Sequence, residues 1–141
     1  MKTMSESFTE LFPPGTSINV GFDTLRFYDR TRQGLLHLYG SIDIGLSVHL
    51  QDYLMVAKQL GVKKIQAKLN SGGGDVIESL AVYDTLVGCK LPITMTVVGL
   101  AASAASMVVL QAAGVRQALP HARLMLHEIR RFSFGIEPRA E

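Results

Sequence analysis

The chain has 141 residues, 48% of them hydrophobic and 18% charged, which is enough apolar material for one domain with a core and excludes a disordered tail. Its 14 basic and 12 acidic residues leave a net charge of +2, and the only adjacent basic pairs are Lys63-Lys64 and Arg130-Arg131, so no nucleic-acid footprint is present. A single cysteine, Cys89, excludes an intramolecular disulfide, fits a reducing, cytoplasmic setting and reads as a packed thiol.

Residues 1–17 lack the apolar run of a secretory signal and are expected to form a flexible segment ahead of a domain over 18–141. Ile18 to Arg32 alternates loosely, as a peripheral hairpin or loop would. Leu35 to Tyr39 reads as a strand closed by Gly40. The apolar spacing predicts a helix over Gly45 to Leu60, with Leu46, His49-Leu50, Tyr53-Leu54 and Ala57 on one stripe and Gly61 just past its end. Lys64 to Leu69 is a second strand. A glycine loop follows, then a helix from Val76 to about Cys89, one face of it marked by Ile77, Leu80-Ala81, Asp84 and Val87-Gly88. Ile93 to Val98 is a third strand, Ala102 to Ala113 a helix, and Val115 to Leu119 and Arg123 to His127 two short strands.

Thr94 to Ala113 carries no charge over twenty residues, the length of a membrane span. Pro92 and Gly99 punctuate it, and its character changes from β-branched to alanine-rich. A buried strand followed by a buried helix is therefore expected, and no membrane span. Strands alternating with helices predict an α/β domain with a mostly parallel sheet, in which reactive groups gather at the carboxyl ends of strands.

Two motifs follow strands in this way. Asn70-Ser71-Gly72-Gly73-Gly74-Asp75 is either a flexible turn into a helix or a strip of exposed amides for an oxyanion or a peptide backbone. It carries no Gly-Lys-Ser/Thr and no Gly-x-Gly-x-x-Gly, so no nucleotide is implied. Ser103 lies after a glycine and two alanines, at the start of the predicted helix. Its small neighbours would let a substrate carbonyl approach, and the amide of Ala104 would be free of intrahelical bonds; the alternative is a serine that merely back-bonds to its own helix. Ser106, one turn later, reads as a small residue for close packing. His127, ending an apolar run, is either a structural histidine or a base. His37, His49 and His121 lack partners at metal-ligand spacing, so no metal site is expected.

Taken in order, Asn70 to Val76, Ala81 to Leu86, Gly99 to Ser106 and Ala118 to His127 closely resemble the proteolytic subunit of the Clp protease, and Gly-Leu-Ala-Ala-Ser-Ala-Ala-Ser is most similar to its phage prohead-protease branch. The resemblance covers about Leu35 to His127. It implies the spiral of ββα units shared with the crotonases: α/β, a mostly parallel sheet with flanking helices. It implies Ser103 as nucleophile, His127 as general base, the amides of Gly74 and Ala104 as oxyanion hole, and Gly72, Gly73, Asp75 and Val76 lining a groove for extended peptide. The implied activity is a serine endopeptidase without cofactor. The implied partners are a polypeptide substrate, an ATP-driven unfoldase of the AAA+ type and further copies in a homo-oligomeric ring. The sequence departs from the family at Gly72, where proline is usual. The family's triad acid lies beyond a strand and a long helix after the histidine, so Glu141 is expected to fall short of it and of the handle segment. Glu128, Asp43, Asp75 and Asp84 are the carboxylates weighed as substitutes. Two rival functions share parts of this pattern: a non-catalytic ring or scaffold subunit, and a crotonase-like acyl-coenzyme A enzyme.

Overall fold

A computed structural model describes Met1 and residues 17–20, 23–26 and 33–128. Most of the segment 1–17, the stretch 27–32 and the stretch 129–141 lie outside the described residues. Strands β1 (Ser17–Val20) and β2 (Asp23–Arg26) pair antiparallel, where a peripheral hairpin or loop is expected over Ile18 to Arg32. Among the described residues the principal sheet has five strands: β3 (Gln33–Tyr39), β4 (Lys64–Ser71), β5 (Ile93–Ala102) and β6 (Val115–Ala118) in that order, with β7 (Arg123–Met125) also paired to β5. Every pairing in it is parallel. Helix α1 (Leu46–Gln59) connects β3 to β4, and α2 (Val76–Gly88) connects β4 to β5.

Burial alternates along the strands, so one face of the sheet is apolar and covered by the helices. Leu36 and Leu38, Ile65 and Leu69, and Met95 and Val97 point into the core from β3, β4 and β5. From α1, Leu50, Tyr53, Leu54 and Ala57 meet them as the stripe predicts, while Leu46 and His49 are only half-buried. The Tyr53 hydroxyl donates to the Leu35 carbonyl at 2.9 Å. A methyl group on Gly34 would lie 2.8 Å from that hydroxyl and 2.8 Å from Ile65 Cδ1, so the packing leaves no room for a side chain there.

Two expectations are corrected. The face of α2 marked by Ile77, Leu80 and Val87 points to solvent, and Ile77 is 79% exposed. The buried positions are Glu78, Ser79, Val82 and Leu86, because the helix turns toward α1 and the sheet the side that carries a carboxylate with a partner to find. The single helix expected over Ala102 to Ala113 is a strand end, a short helix α3 (Ala104–Met107) and a 3₁₀ turn (Val109–Ala112). The β-branched pair Val108-Val109 interrupts the α-helix, and Val108 sits at φ −120°. The uncharged stretch from Thr94 thus folds as strand and broken helix, and among the described residues no helix is long and apolar enough to cross a membrane.

Glu78 ties the two long helices together. Its Oε1 accepts the Ser47 amide at 2.6 Å, placing a carboxylate on the N-terminus of α1, and its own amide donates to Asp75 Oδ1 at 2.7 Å. Hydrogen bonding from Ser47 is the main cause that holds the Glu78 carboxyl below its ordinary range. A lowered folded-state pKa stabilises above the unfolded value of about 4.3 and is lost as pH falls through the folded value. Urea unfolding should find Glu78→Gln less stable than wild type by about 1–2 kcal/mol at neutral pH. The gap should narrow as the pH drops below the usual carboxylate range; a gap that is constant with pH would refute an ionised Glu78 in this role.

Candidate active site

The site begins with a break in the register between β4 and β5. Pairing runs from Ile65 with Ile93 to Leu69 with Val97, then resumes with Ser71 opposite Ala101. Gly99, at φ +85°, takes up the excess residues, and the Leu100 amide donates to Asn70 Oδ1 at 3.2 Å instead of to a neighbouring strand. The bulge carries β5 on to Ala102 and delivers Ser103 at the carboxyl edge of the sheet.

Ser103 adopts φ 56° and ψ −129°, a conformation that costs a non-glycine residue on the order of 1–3 kcal/mol and persists only when held. Its amide donates to the Met125 carbonyl at 3.0 Å, and its carbonyl accepts the amides of Ser106 at 3.1 Å and Met107 at 2.9 Å. Ala101, Ala102, Ala104 and Ala105 are all buried around it, so the tight turn fits only because these side chains are small. The sharp strand-to-helix turn lifts the hydroxyl clear of the sheet.

His127 lies two residues past the end of β7, rather than on a strand reaching it as expected, because pairing of β7 with β5 stops at Ala102 opposite Met125. Freed from the ladder, the ring turns over the elbow, with Nε2 2.7 Å from Ser103 Oγ. Nδ1 is 2.5 Å from the carbonyl oxygen of Glu128. A carbonyl can only accept, so the proton of the neutral ring sits on Nδ1, and Nε2 accepts from the serine hydroxyl. That is the tautomer in which histidine can take a proton from serine.

The glycine loop closes the other side. Ile42 donates its amide to the Gly73 carbonyl at 2.9 Å and accepts from the Asp75 amide at 2.9 Å, which turns the Gly74 N–H and C=O toward the opposite, open edge. Ser71 Oγ consumes the Gly73 amide at 3.1 Å. Among the described residues the amides of Gly74 and Ala104 have no hydrogen-bond partner. Gly73 is buried at φ +96°, and a methyl there would lie 2.9 Å from Ser103 Cβ and 3.2 Å from the Ala104 nitrogen. Gly72 meets nothing within 4 Å, so the family's usual proline is sterically unopposed on the side-chain side. Val76 is exposed beside the open edge, and the Asp75 side chain is engaged as the cap of α2.

None of the carboxylates weighed as substitutes hydrogen-bonds His127 among the described residues. Asp75 caps α2, Asp43 Oδ1 accepts the Ser41 hydroxyl at 3.2 Å, and Glu128 contributes its carbonyl oxygen rather than its side chain. His37 and His49 line a separate cavity of about 230 Å³, and His121 lies on an exposed turn. No group of three His, Cys, Asp or Glu residues stands at metal-binding distance among the described residues. The roles of Asn70, of the Ser106 hydroxyl and of the Glu128 carbonyl escape sequence reasoning. Only Asn70, beside the glycine loop, carried a usable signal.

A serine–histidine hydrogen bond on a strained elbow, with unpaired amides alongside, is the arrangement that acyl-transfer hydrolases build on many folds. The Clp protease family profile matches residues 23–135, and the chain belongs to that family. It is similar to a point mutant of ClpP1 from Listeria monocytogenes, with 26% identity over 67% of this chain and 56% of that one and a TM-score of 0.59. It is also similar to the ClpP protease catalytic domain from Plasmodium falciparum, with 32% identity over 66% of this chain, 54% of that one and a TM-score of 0.60. The mixed α/β fold with its mostly parallel sheet is the ClpP fold. The chain spans a little over half the length of these two proteins.

Proposed function

We propose that this chain is a serine endopeptidase that hydrolyses peptide bonds through a Ser103 acyl-enzyme. The contact of 2.7 Å between Ser103 Oγ and His127 Nε2 carries the reading. His127 takes the hydroxyl proton as Oγ attacks the peptide carbonyl, then returns it to the departing amine; a water activated by the same ring releases the acyl group. The amides of Gly74 and Ala104 receive the oxyanion. Gly72 to Val76 offers an open edge along which an extended peptide pairs through its main chain, as in strand addition. A crotonase-like acyl-coenzyme A enzyme would use the two amides but would leave the serine–histidine contact without a task. A scaffold subunit would leave unexplained the strain held at Ser103.

The same reading takes the domain over 18–141 as part of a ring of identical subunits served by an AAA+ unfoldase, without cofactor and in the cytoplasm. The exposed apolar residues Ile44, Val48 and Ile77, together with Leu80 and Val87, supply surface for subunit contacts. Fluorophosphonate treatment of the folded chain, followed by peptide mass spectrometry, should place one adduct on Ser103 and none in Ser103→Ala. A folded chain that takes up no phosphonate on Ser103 would overturn the hydrolase reading in favour of a scaffold.

A further inference from the structure

Ser106 stands three residues beyond the candidate nucleophile, is 1% exposed, and has no place in the chemistry described so far. Its hydroxyl lies 2.6 Å from the Met125 carbonyl oxygen and 3.0 Å from that of Ser103. One hydroxyl has one proton to give. The shorter contact takes it, since the Ser103 carbonyl already holds the amides of Ser106 and Met107. The Met125 carbonyl thereby receives two donors, the Ser103 amide at 3.0 Å and the Ser106 hydroxyl at 2.6 Å.

Met125 is the last residue of β7, and His127 follows two residues later, outside the sheet ladder. The ladder brings Met125 to the elbow, but beyond Met125 no strand pairing among the described residues holds His127. The Ser103 amide makes the last rung of that ladder, and the Ser106 hydroxyl adds to the same carbonyl a second tie, from the first turn of α3. Resting on the reading of Ser103 and His127 as a reacting pair, we infer that Ser106 is a positioning residue: its buried hydroxyl clamps the strand end that carries His127 against the Ser103 elbow. Small size alone, the expectation at this position, would be met equally well by alanine.

Ser106→Ala removes one of two donors from the Met125 carbonyl and leaves the Ser103 amide in place, so no buried acceptor is orphaned and the variant should fold. Two readouts test the clamp. The first is the imidazole ¹⁵N spectrum of His127 in the folded chain. Wild type should show one tautomer with the proton on Nδ1, and Ser106→Ala a mixture, because the ring is no longer held between Ser103 and the Glu128 carbonyl. The second is the rate of fluorophosphonate labelling at saturating reagent, which should fall about 10- to 100-fold in Ser106→Ala, with little change in the reagent concentration giving half-maximal rate. Ser106→Cys, close in size but a weak donor, should fall between. An unchanged His127 spectrum in Ser106→Ala overturns the clamp whether or not wild type labels. A failure of wild type to label sinks the hydrolase reading instead, while the spectrum still decides the clamp.

Discussion

His127→Ala should slow acylation of Ser103 by a factor on the order of 10⁴ to 10⁶ while leaving the fold intact. The size follows from the geometry: a serine hydroxyl is a poor nucleophile unless a base lies within hydrogen-bond reach of its proton, and the His127 ring is 2.7 Å away. The stability effect should be within about 0.5 kcal/mol, because His127 is exposed and lies outside the strand ladder. The measurement is the second-order rate of fluorophosphonate reaction, with urea unfolding of the same samples. A variant that reacts as fast as wild type would show that Ser103 is activated by something other than His127. Loss of reaction together with loss of the unfolding transition would mean the histidine is structural.

Gly73→Ala should damage both the fold and the site. The residue is buried at φ +96°, where an L-side chain is strained, and the added carbon would sit 2.8 Å from the Ala102 carbonyl and 2.9 Å from Ser103 Cβ. Neither neighbour is the flexible end of a long side chain; one is backbone and the other is the elbow itself. Relief must come from moving the glycine loop away from β5, which separates the Gly74 amide from the Ala104 amide. We expect a loss of about 1–3 kcal/mol in stability from the strained backbone and a fall of about 10²- to 10³-fold in acylation rate from a displaced oxyanion donor. Gly72→Ala is the matched control. That position is exposed, has no positive φ and meets nothing within 4 Å, so both quantities should stay near wild type. If the two variants behaved alike, close packing of Gly73 on the elbow would not be what the loop needs.

Ser103 also shows how far local chemistry alone carries. Two alanines on one side and two on the other announced a backbone that must be approached closely, and a histidine ending an apolar run offered a base. Neither fact says that the two side chains meet. Twenty-four residues separate them, and their contact depends on β6 and β7 both lying alongside β5, one after the other, so that Met125 falls opposite Ala102. The helix expected after Ser103 failed for a related reason. Alanine-rich composition favours an α-helix, but Val108-Val109 and the pull of Ser106 toward the Met125 carbonyl compete with it after one turn.

The helix α2 marks the same boundary in its burial. Its apolar residues Ile77, Leu80 and Val87 fall on one face, and local periodicity offers that face as readily as any other. The face that is buried instead carries Glu78, whose partner is an amide 31 residues earlier. By itself the sequence determined the parallel α/β class, the order of the strands and the two long helices, the glycine turns at Gly40 and Gly61, and the stripe of α1 that enters the core, because these follow from side-chain periodicity and backbone freedom within a few residues. Only the tertiary structure decided which face of α2 is buried, which amides remain unpaired, and that His127 comes to rest on Ser103 with its proton on Nδ1. Those outcomes depend on hydrogen-bond partners far apart in the chain, and pairing at that range is set by strand register and not by local propensity.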